Sequence, residues 1–192
     1  MSGSLRLIVP PRDIRFFEAG EPLTDVVEGD FILVKHADLF ADAIEKSLTL
    51  ESILHPQLEG YVWLDHCGFV RNDLLGVPQV SEMGAKGHER RPVAGYKDEL
   101  CARVRFHVSG EKIATACAYD VACEDVEYGW ELYLPMILNG IDGGKFIGSW
   151  GDALVCSVHV TLLAMGMGLF PDRPAWDVDP ARFCMWTGAR HD

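Results

Sequence analysis

The fold of this chain is decided by its most apolar stretch, residues 150–168, which read WGDALVCSVHVTLLAMGMG. Asp152 is expected to be the N-cap of a helix, because its carboxylate can accept hydrogen bonds from the first free backbone N–H groups. Gly166 and Gly168 are typical of a helix end. Nearly every position between these signals is apolar, so the helix should be buried on all sides. It is slightly shorter than the roughly 20 apolar residues of a membrane span, so we interpret it as the central helix of a soluble core.

Cys156 lies close to the predicted start of this helix. Free N–H groups and the positive end of the helix dipole lower the pKa of a thiol placed there and make it a better nucleophile. The same N–H groups can stabilise the oxyanion that forms when a thiolate attacks a carbonyl. A free cysteine in an apolar helix is also well suited to simple packing, so this stretch alone leaves both roles open.

Length and charge limit the classes to which the protein can belong. A chain of 192 residues is expected to form a single domain, over residues 1–192, with a core large enough to need no disulfides. The formal net charge is −12 at pH 7, whereas nucleic-acid binding needs clustered Lys and Arg. The same charge argues against adhesion to anionic membranes or polymers. We therefore expect a globular protein with no nucleic-acid partner.

The cysteines and the first residues of the chain indicate a compartment. Six cysteines lack the close, regular spacing of a disulfide framework, so free thiols in a reducing compartment are expected. The first residues contain no long apolar segment of a secretory signal, and we expect no transmembrane segment. The sequence therefore predicts a cytoplasmic location by default, with export by another route left open, and it predicts no cofactor or metal.

The rest of the sequence predicts a mixed fold. Strands are expected at residues 31–35, 61–70, 78–83 and 100–108, and helices at 37–50 and 112–123. Loops are expected at 84–91 and 127–150, and irregular extensions at 1–27 and 169–192, the latter with a short strand or helical turn at 182–186. This order of elements predicts an α+β fold in which a central antiparallel sheet packs on the buried helix of Cys156.

Catalysis by Cys156 requires a base within hydrogen-bond reach and a third group that orients the base. His66 lies in the middle of the strand predicted at 61–70, and Glu82 lies near the end of the next strand. If the two strands pair as a hairpin, Glu82 can lie beside His66, and both can face the start of the Cys156 helix. A histidine in an apolar strand is, however, more often a core residue whose ring nitrogens are hydrogen-bonded.

Two other arrangements use some of the same residues. His159 follows Cys156 by three positions, so both side chains extend from the same face of one helix. The His159 ring is therefore poorly oriented to accept the proton of Cys156. His66, Cys67, Cys156 and His159 have acceptable ligand types for zinc. However, neighbouring strand residues point to opposite faces, so His66 and Cys67 cannot easily bind one ion. Both arrangements are weaker hypotheses than a pair of Cys156 and His66.

Four short motifs follow one another along the chain: EGDFILV at 28–34, DHCGFV at 65–70, VSEMG at 80–84 and CS at 156–157. Together they resemble the circularly permuted NlpC/P60 cysteine peptidases, a branch of the papain-like superfamily in which the histidine strand precedes the cysteine helix. The resemblance covers about residues 28–165. The chain departs from the family pattern at Val158 and His159, where the family often has an acidic residue.

The resemblance implies a papain-like fold with Cys156 as nucleophile, His66 as base and Glu82 as the orienting group. It implies a cysteine peptidase or amidase that cleaves an amide bond next to a D-amino acid in peptidoglycan-type peptides. Permuted relatives also include lipid acyltransferases, so an acyl ester or thioester is a second class of substrate. A third hypothesis is a non-catalytic binding or structural module that has kept the fold.

Overall fold

The computed structural model describes residues 11–36, 46, 48–49, 52–84, 86–127, 155–170 and 178–191. The strands in these ranges are β1 (Arg12–Phe17), β2 (Phe31–Lys35), β3 (His66–Asn72), β4 (Pro78–Gly84), β5 (Gly87–Pro92) and β6 (Leu100–Phe106). The α-helices with described bounds are α1 (Gly110–Ala122), α2 (Cys156–Gly166) and α3 (Pro180–Thr187), and short 3-10 helices occupy Pro56–Leu58 and Val93–Tyr96. Most of the helix predicted at 37–50 and nearly all of the loop predicted at 127–150 lie outside the described residues.

The strands form one antiparallel sheet in the order β1-β6-β2-β3-β4-β5. Phe31 and Leu33 of β2 lie in the larger core cluster, together with buried residues of α2 and α3. Ile32 and Val34 lie in a smaller cluster on the other face of the sheet. Because both faces of β2 are buried, its sequence is a continuous apolar run rather than an alternating one. The predicted α+β fold with an antiparallel sheet is confirmed.

Helix α2 is buried against the sheet, as its composition predicts. Val160, Leu163 and Ala164 are fully buried in the larger core cluster. The helix begins at Cys156 with Val155 as its N-cap, so the prediction of Asp152 as N-cap is wrong. Val155 is extended although it is apolar, and an apolar residue carries no signal that distinguishes an extended position from a helical one, which explains the error. Within the described ranges, no helix has the length and apolar character needed to cross a membrane.

The two edge strands are absent from the sequence-based prediction. β1 and β5 read RDIRFF and GHERRP, and both are rich in charged side chains. An edge strand pairs on one side only, and charges on it discourage pairing with another chain. These charges also remove the apolar alternation by which a strand is recognised. The predictions of an irregular segment over 1–27 and of a loop at 84–91 are therefore wrong where β1 and β5 lie.

Two further boundaries differ from expectation. β3 begins at His66, so this histidine is the first residue of its strand rather than the middle one. The chain at 182–186 is helical and belongs to α3, so residues 169–192 are not irregular throughout. Helix α3 has the expected terminal signals, since Asp179 accepts a hydrogen bond from the N–H of Arg182 and Gly188 follows with a φ of 79°.

Candidate active site

The β3–β4 hairpin brings His66 and Glu82 together. Its turn is fixed by Asp73, whose Oδ1 accepts hydrogen bonds of 2.8 Å from the backbone N–H groups of Leu75 and Val77. The two strands pair in an antiparallel register that continues to Glu82. His66 Nε2 then lies 2.8 Å from Glu82 Oε2. The structure therefore places these two predicted site residues in direct contact, through the predicted hairpin.

Gly68 allows the two strands to approach each other next to this contact. It lies opposite Glu82 in the register. A Cβ atom at position 68 would lie 2.4 Å from Val80 Cγ1 and 3.1 Å from the backbone oxygen of Ser81. The first distance is a clash, so a larger residue would push β4 away. The glycine therefore keeps Glu82 within reach of His66.

Cys156 joins the cluster from the start of α2. Interactions with the His66 side chain and with the thiol and backbone of Cys67 lower its pKa, which places its sulfur beside both residues. Because His66 Nε2 is bonded to Glu82, Nδ1 is the ring nitrogen left for Cys156. Only 3% of Cys156 is exposed. No side chain in the described part of the chain caps α2, so the N–H groups of its first turn are left to interact with an anion.

These contacts favour a thiolate–imidazolium pair. The hydrogen bond from the Cys67 thiol, together with His66, holds the pKa of Cys156 well below its usual value in spite of burial. Burial disfavours a charged His66, but the charges of Cys156 and Glu82 outweigh it and raise the pKa of His66 well above its usual value. Burial raises the pKa of Cys67, so this residue stays a thiol and can donate to Cys156.

Tyr96 and Arg91 support Glu82, and sequence reasoning missed both. The Tyr96 hydroxyl donates to Glu82 Oε2 at 2.5 Å, and the Arg91 guanidinium lies 4.3 Å from the centre of the Tyr96 ring. Burial alone would raise the pKa of Glu82, but His66 and the Tyr96 hydrogen bond lower it. No local signal marks Tyr96, because it reaches Glu82 only through the turn that follows the unpredicted strand β5.

A second acid–imidazole pair packs against His66. The ring centroids of His36 and His66 lie 5.2 Å apart. His36 Nδ1 lies 3.0 Å from Asp65 Oδ1, and its Nε2 lies 3.3 Å from Glu99 Oε2. Burial opposes protonation, yet the Asp65 hydrogen bond leaves the pKa of His36 raised. His36 thereby restricts the plane of the His66 ring, and the only sequence signal for this support was Asp65 beside His66.

His159 lies outside this cluster. It is fully buried, its Nε2 lies 3.0 Å from Asp120 Oδ1, and its Nδ1 has no hydrogen-bond partner among the described residues. The hypothesis that His159 is the base for Cys156 therefore has no support in the contacts. The expectation that His66 and Cys67 cannot easily bind one ion stays a prediction. His159, however, is directed to Asp120, so the zinc site of four residues is not assembled.

A comparison of the chain with models of protein families gives no match, and no curated protein is significantly similar to it. A functional hypothesis must therefore be argued from the geometry and chemistry of the site itself.

Proposed function

We propose that the protein is a thiol hydrolase of the cysteine peptidase or amidase type, with Cys156, His66 and Glu82 as its catalytic triad. The observation that supports this most directly is the contact of His66 Nε2 with Glu82 Oε2 at 2.8 Å, in a cluster where His66 also lowers the pKa of Cys156. The three side chains come from α2, β3 and β4, and together they fill the roles of nucleophile, base and orienting group. The chain order of histidine strand, acidic strand and cysteine helix supports a permuted papain-like fold as part of the same proposal.

In the proposed reaction, the Cys156 thiolate attacks the carbonyl carbon of an amide. N–H groups in the first turn of α2 hold the oxyanion. The His66 imidazolium gives its proton to the leaving amine, and the acyl group stays on the sulfur as a thioester. His66 then takes a proton from a water molecule, which hydrolyses the thioester and restores the thiolate. Glu82 keeps the His66 ring in position throughout.

The proposed substrates are peptidoglycan-type peptides, cleaved at an amide bond next to a D-amino acid. This substrate class comes from the family resemblance of the four motifs. Acyl esters and thioesters of lipids undergo the same chemistry at a thiolate and form the second class to be tested.

The proposal is tested first by the reactivity of Cys156 with iodoacetamide as a function of pH. Mass spectrometry of peptides then separates Cys156 from the other five cysteines. We expect rapid alkylation of Cys156 below pH 7 in the wild type and slow alkylation in His66→Ala. His107→Ala is the matched control, because the His107 side chain is exposed and its Nε2 lies 3.2 Å from Asp13 Oδ2. An ordinary thiol pKa near 8.5, unchanged in His66→Ala, would support a non-catalytic module instead.

The substrate class is tested by trapping the acyl-enzyme. The protein is mixed with cell-wall peptides, acyl esters or acyl thioesters, quenched in acid and analysed by mass spectrometry. We expect an acyl adduct on Cys156 with the peptide panel and none in Cys156→Ala. An adduct only with the esters would assign the protein to the lipid acyl class, whereas no adduct from any panel, despite a reactive Cys156, would contradict these substrates.

A further inference from the structure

A second cluster of ionisable side chains lies on the face of the sheet that α2 covers. His88 of β5, Asp120 of α1 and His159 of α2 each place one ligand atom within 4.8 Å of the other two. Asp120 and His159 are fully buried, and the His88 side chain is 3% exposed. None of the three takes part in the reaction proposed for Cys156.

Polar atoms crowd around one oxygen of Asp120. His159 Nε2 lies 3.0 Å from Oδ1, His88 Nε2 lies 3.2 Å from it, and the Ser81 hydroxyl donates to it at 2.6 Å. The other oxygen, Oδ2, has no hydrogen bond among the described residues, although Arg71 Nη1 lies 2.9 Å away. His88 Nε2 also lies 2.7 Å from the Ser81 hydroxyl. A carboxylate oxygen offers two lone pairs, whereas three polar atoms lie within hydrogen-bond distance of Oδ1. A cation among the ligand atoms would explain it, because the two imidazoles would then offer lone pairs instead of competing as donors.

We propose that His88 Nε2, His159 Nε2 and Asp120 Oδ1 bind a divalent transition-metal ion, with zinc as the best match. Two imidazole nitrogens and one carboxylate oxygen are ligands that zinc prefers. In a tetrahedral site with metal–ligand distances of about 2.0–2.1 Å, the ligand atoms are about 3.3 Å apart. The distances of 3.0 Å and 3.2 Å from Asp120 Oδ1 are already close to this value. A tetrahedral ion needs about the same separation between the two histidine nitrogens, which lie within 4.8 Å of each other.

Arg71 and Glu124 give the site its outer shell. Arg71 Nη1 lies 2.9 Å from Asp120 Oδ2, and Arg71 Nη2 donates to Glu124 Oε1 at 2.7 Å. Glu124 pairs with Arg71, and Asp120 offsets one of the two positive charges of the metal. A guanidinium on Oδ2 also leaves Oδ1 as the metal-binding oxygen, which is how outer-shell groups orient a carboxylate ligand.

The position of the cluster favours a structural role for the ion. Its ligands come from β5, α1 and α2, so one ion would join three elements that are distant in sequence. Cys156 begins α2, and His159 lies in the first turns of the same helix. Metal binding would therefore fix the helix that carries the proposed nucleophile without contacting the substrate.

The site is tested on the full chain by its metal content. The protein is expressed with zinc in the medium, passed through a desalting column and measured by mass spectrometry of the elements. We expect about one zinc ion per chain, removable with a chelator and replaceable by Co²⁺, whose visible absorption reports tetrahedral nitrogen and oxygen ligands. His88→Gln and His159→Gln should each weaken zinc binding by more than about 100-fold, which exceeds the cost of losing an outer-shell contact. His107→Gln, in an exposed position, should leave binding unchanged.

Cys156→Ser separates this site from a cysteine site. If the variant keeps its zinc while His88→Gln loses it, the ion is bound at the histidine cluster. If Cys156→Ser loses zinc and the histidine variants keep it, or if folded wild-type protein binds no zinc at micromolar free Zn²⁺, the proposal is overturned. In the last case the cluster is a hydrogen-bond network only. The measurement requires no catalytic activity, so its outcome is independent of the hydrolase proposal.

Discussion

Cys156 and His66 hold one proton between them, and the position of this proton sets the pH range in which Cys156 can react. The pKa of Cys156 is lowered and the pKa of His66 is raised, so the charged pair exists between the two values. Cys156 is neutral below the lower value, and His66 is neutral above the upper one. We expect a bell-shaped pH profile of kcat/KM, with its acid limb well below the usual thiol pKa of about 8.5. A single rise centred near that pH would contradict the ion pair.

Glu82→Gln should narrow, from both sides, the pH range in which Cys156 can react. The carboxylate stabilises the His66 imidazolium, so its removal lowers the pKa of His66, and a weaker imidazolium in turn raises the pKa of Cys156. We expect kcat/KM to fall on the order of 10–100-fold. Glu89→Gln is the matched control, because Glu89 is exposed and lies opposite Glu82 in the register of β4 and β5. Equal losses in both variants would show that Glu82 has no special role.

Tyr96→Phe removes one hydrogen bond from Glu82 and leaves the contact with His66 in place. A hydrogen bond to a charged group contributes about 1.5–3 kcal/mol, so the free energy of unfolding should fall by up to that amount. The pKa of Glu82 should rise, because the Tyr96 hydroxyl helps to keep it low. Urea unfolding measures the first effect, and NMR titration of the Glu82 carboxyl group measures the second. Tyr119→Phe, at a side chain that is 56% exposed, should change neither.

Sequence reasoning located the residues of the candidate site whose motifs are local, and it missed those brought in by the fold. His66, Glu82 and Cys156 stand in short recognisable patterns, and the structure brings them together. Tyr96 lies in a polar stretch without a recognisable pattern. Its contact with Glu82 depends on β5, a strand that also lacks a recognisable pattern. Asp120 was read only as part of a helix, because its partners lie far away in sequence.

At the scale of the element, the β3–β4 hairpin depends on the absence of a side chain at position 68. Gly68→Ala would place a Cβ atom 2.4 Å from Val80 Cγ1, and such overpacking costs about 1–3 kcal/mol. We expect lower stability to urea together with loss of Cys156 alkylation below pH 7, because β4 moves Glu82 away from His66. Gly110→Ala is the control, since a Cβ atom there would meet nothing within 4 Å. A Gly68→Ala variant with unchanged reactivity would show that the strand spacing is not critical.

The elements could be predicted where burial controls the sequence pattern. The sequence pattern predicted β2, β6 and the buried helix α2, because each of them packs apolar residues into the core. β1 and β5 were not, because an edge strand exposes much of its surface and needs charges there. The start of α2 was placed too early because apolar residues are compatible with both an extended segment and a helix.

At the scale of the whole molecule, Asp120 connects elements from both halves of the chain. Its carboxylate contacts Arg71 of β3, Ser81 of β4, His88 of β5 and His159 of α2. Breaking such a buried pair costs about 3–5 kcal/mol, so we expect Asp120→Asn to lower the free energy of unfolding by roughly 3 kcal/mol. The comparison is made in a chelator, so that any bound metal does not contribute.

The contribution of Asp120 should also disappear in acid. Burial alone would raise the pKa of Asp120, but hydrogen bonds from His159, His88 and Ser81 lower it well below its usual value. A carboxylate with a lowered pKa stabilises the folded state above its unfolded pKa, about 3.9, and this stabilisation is lost as the pH falls through the folded value. The difference in stability between wild type and Asp120→Asn should therefore shrink below about pH 4. A difference that is constant down to pH 2 would contradict this assignment.

The order of the elements along the chain also has a consequence during synthesis. The β3–β4 hairpin ends at Gly84, and α2 begins at Cys156, about 70 residues later. At about 5–20 residues per second, a ribosome needs several seconds to make this stretch. In a nascent chain the His66 imidazole and the Glu82 carboxylate are therefore synthesised several seconds before the Cys156 thiol. The proposed ion pair needs α2, so an incomplete chain released before α2 is made cannot form it.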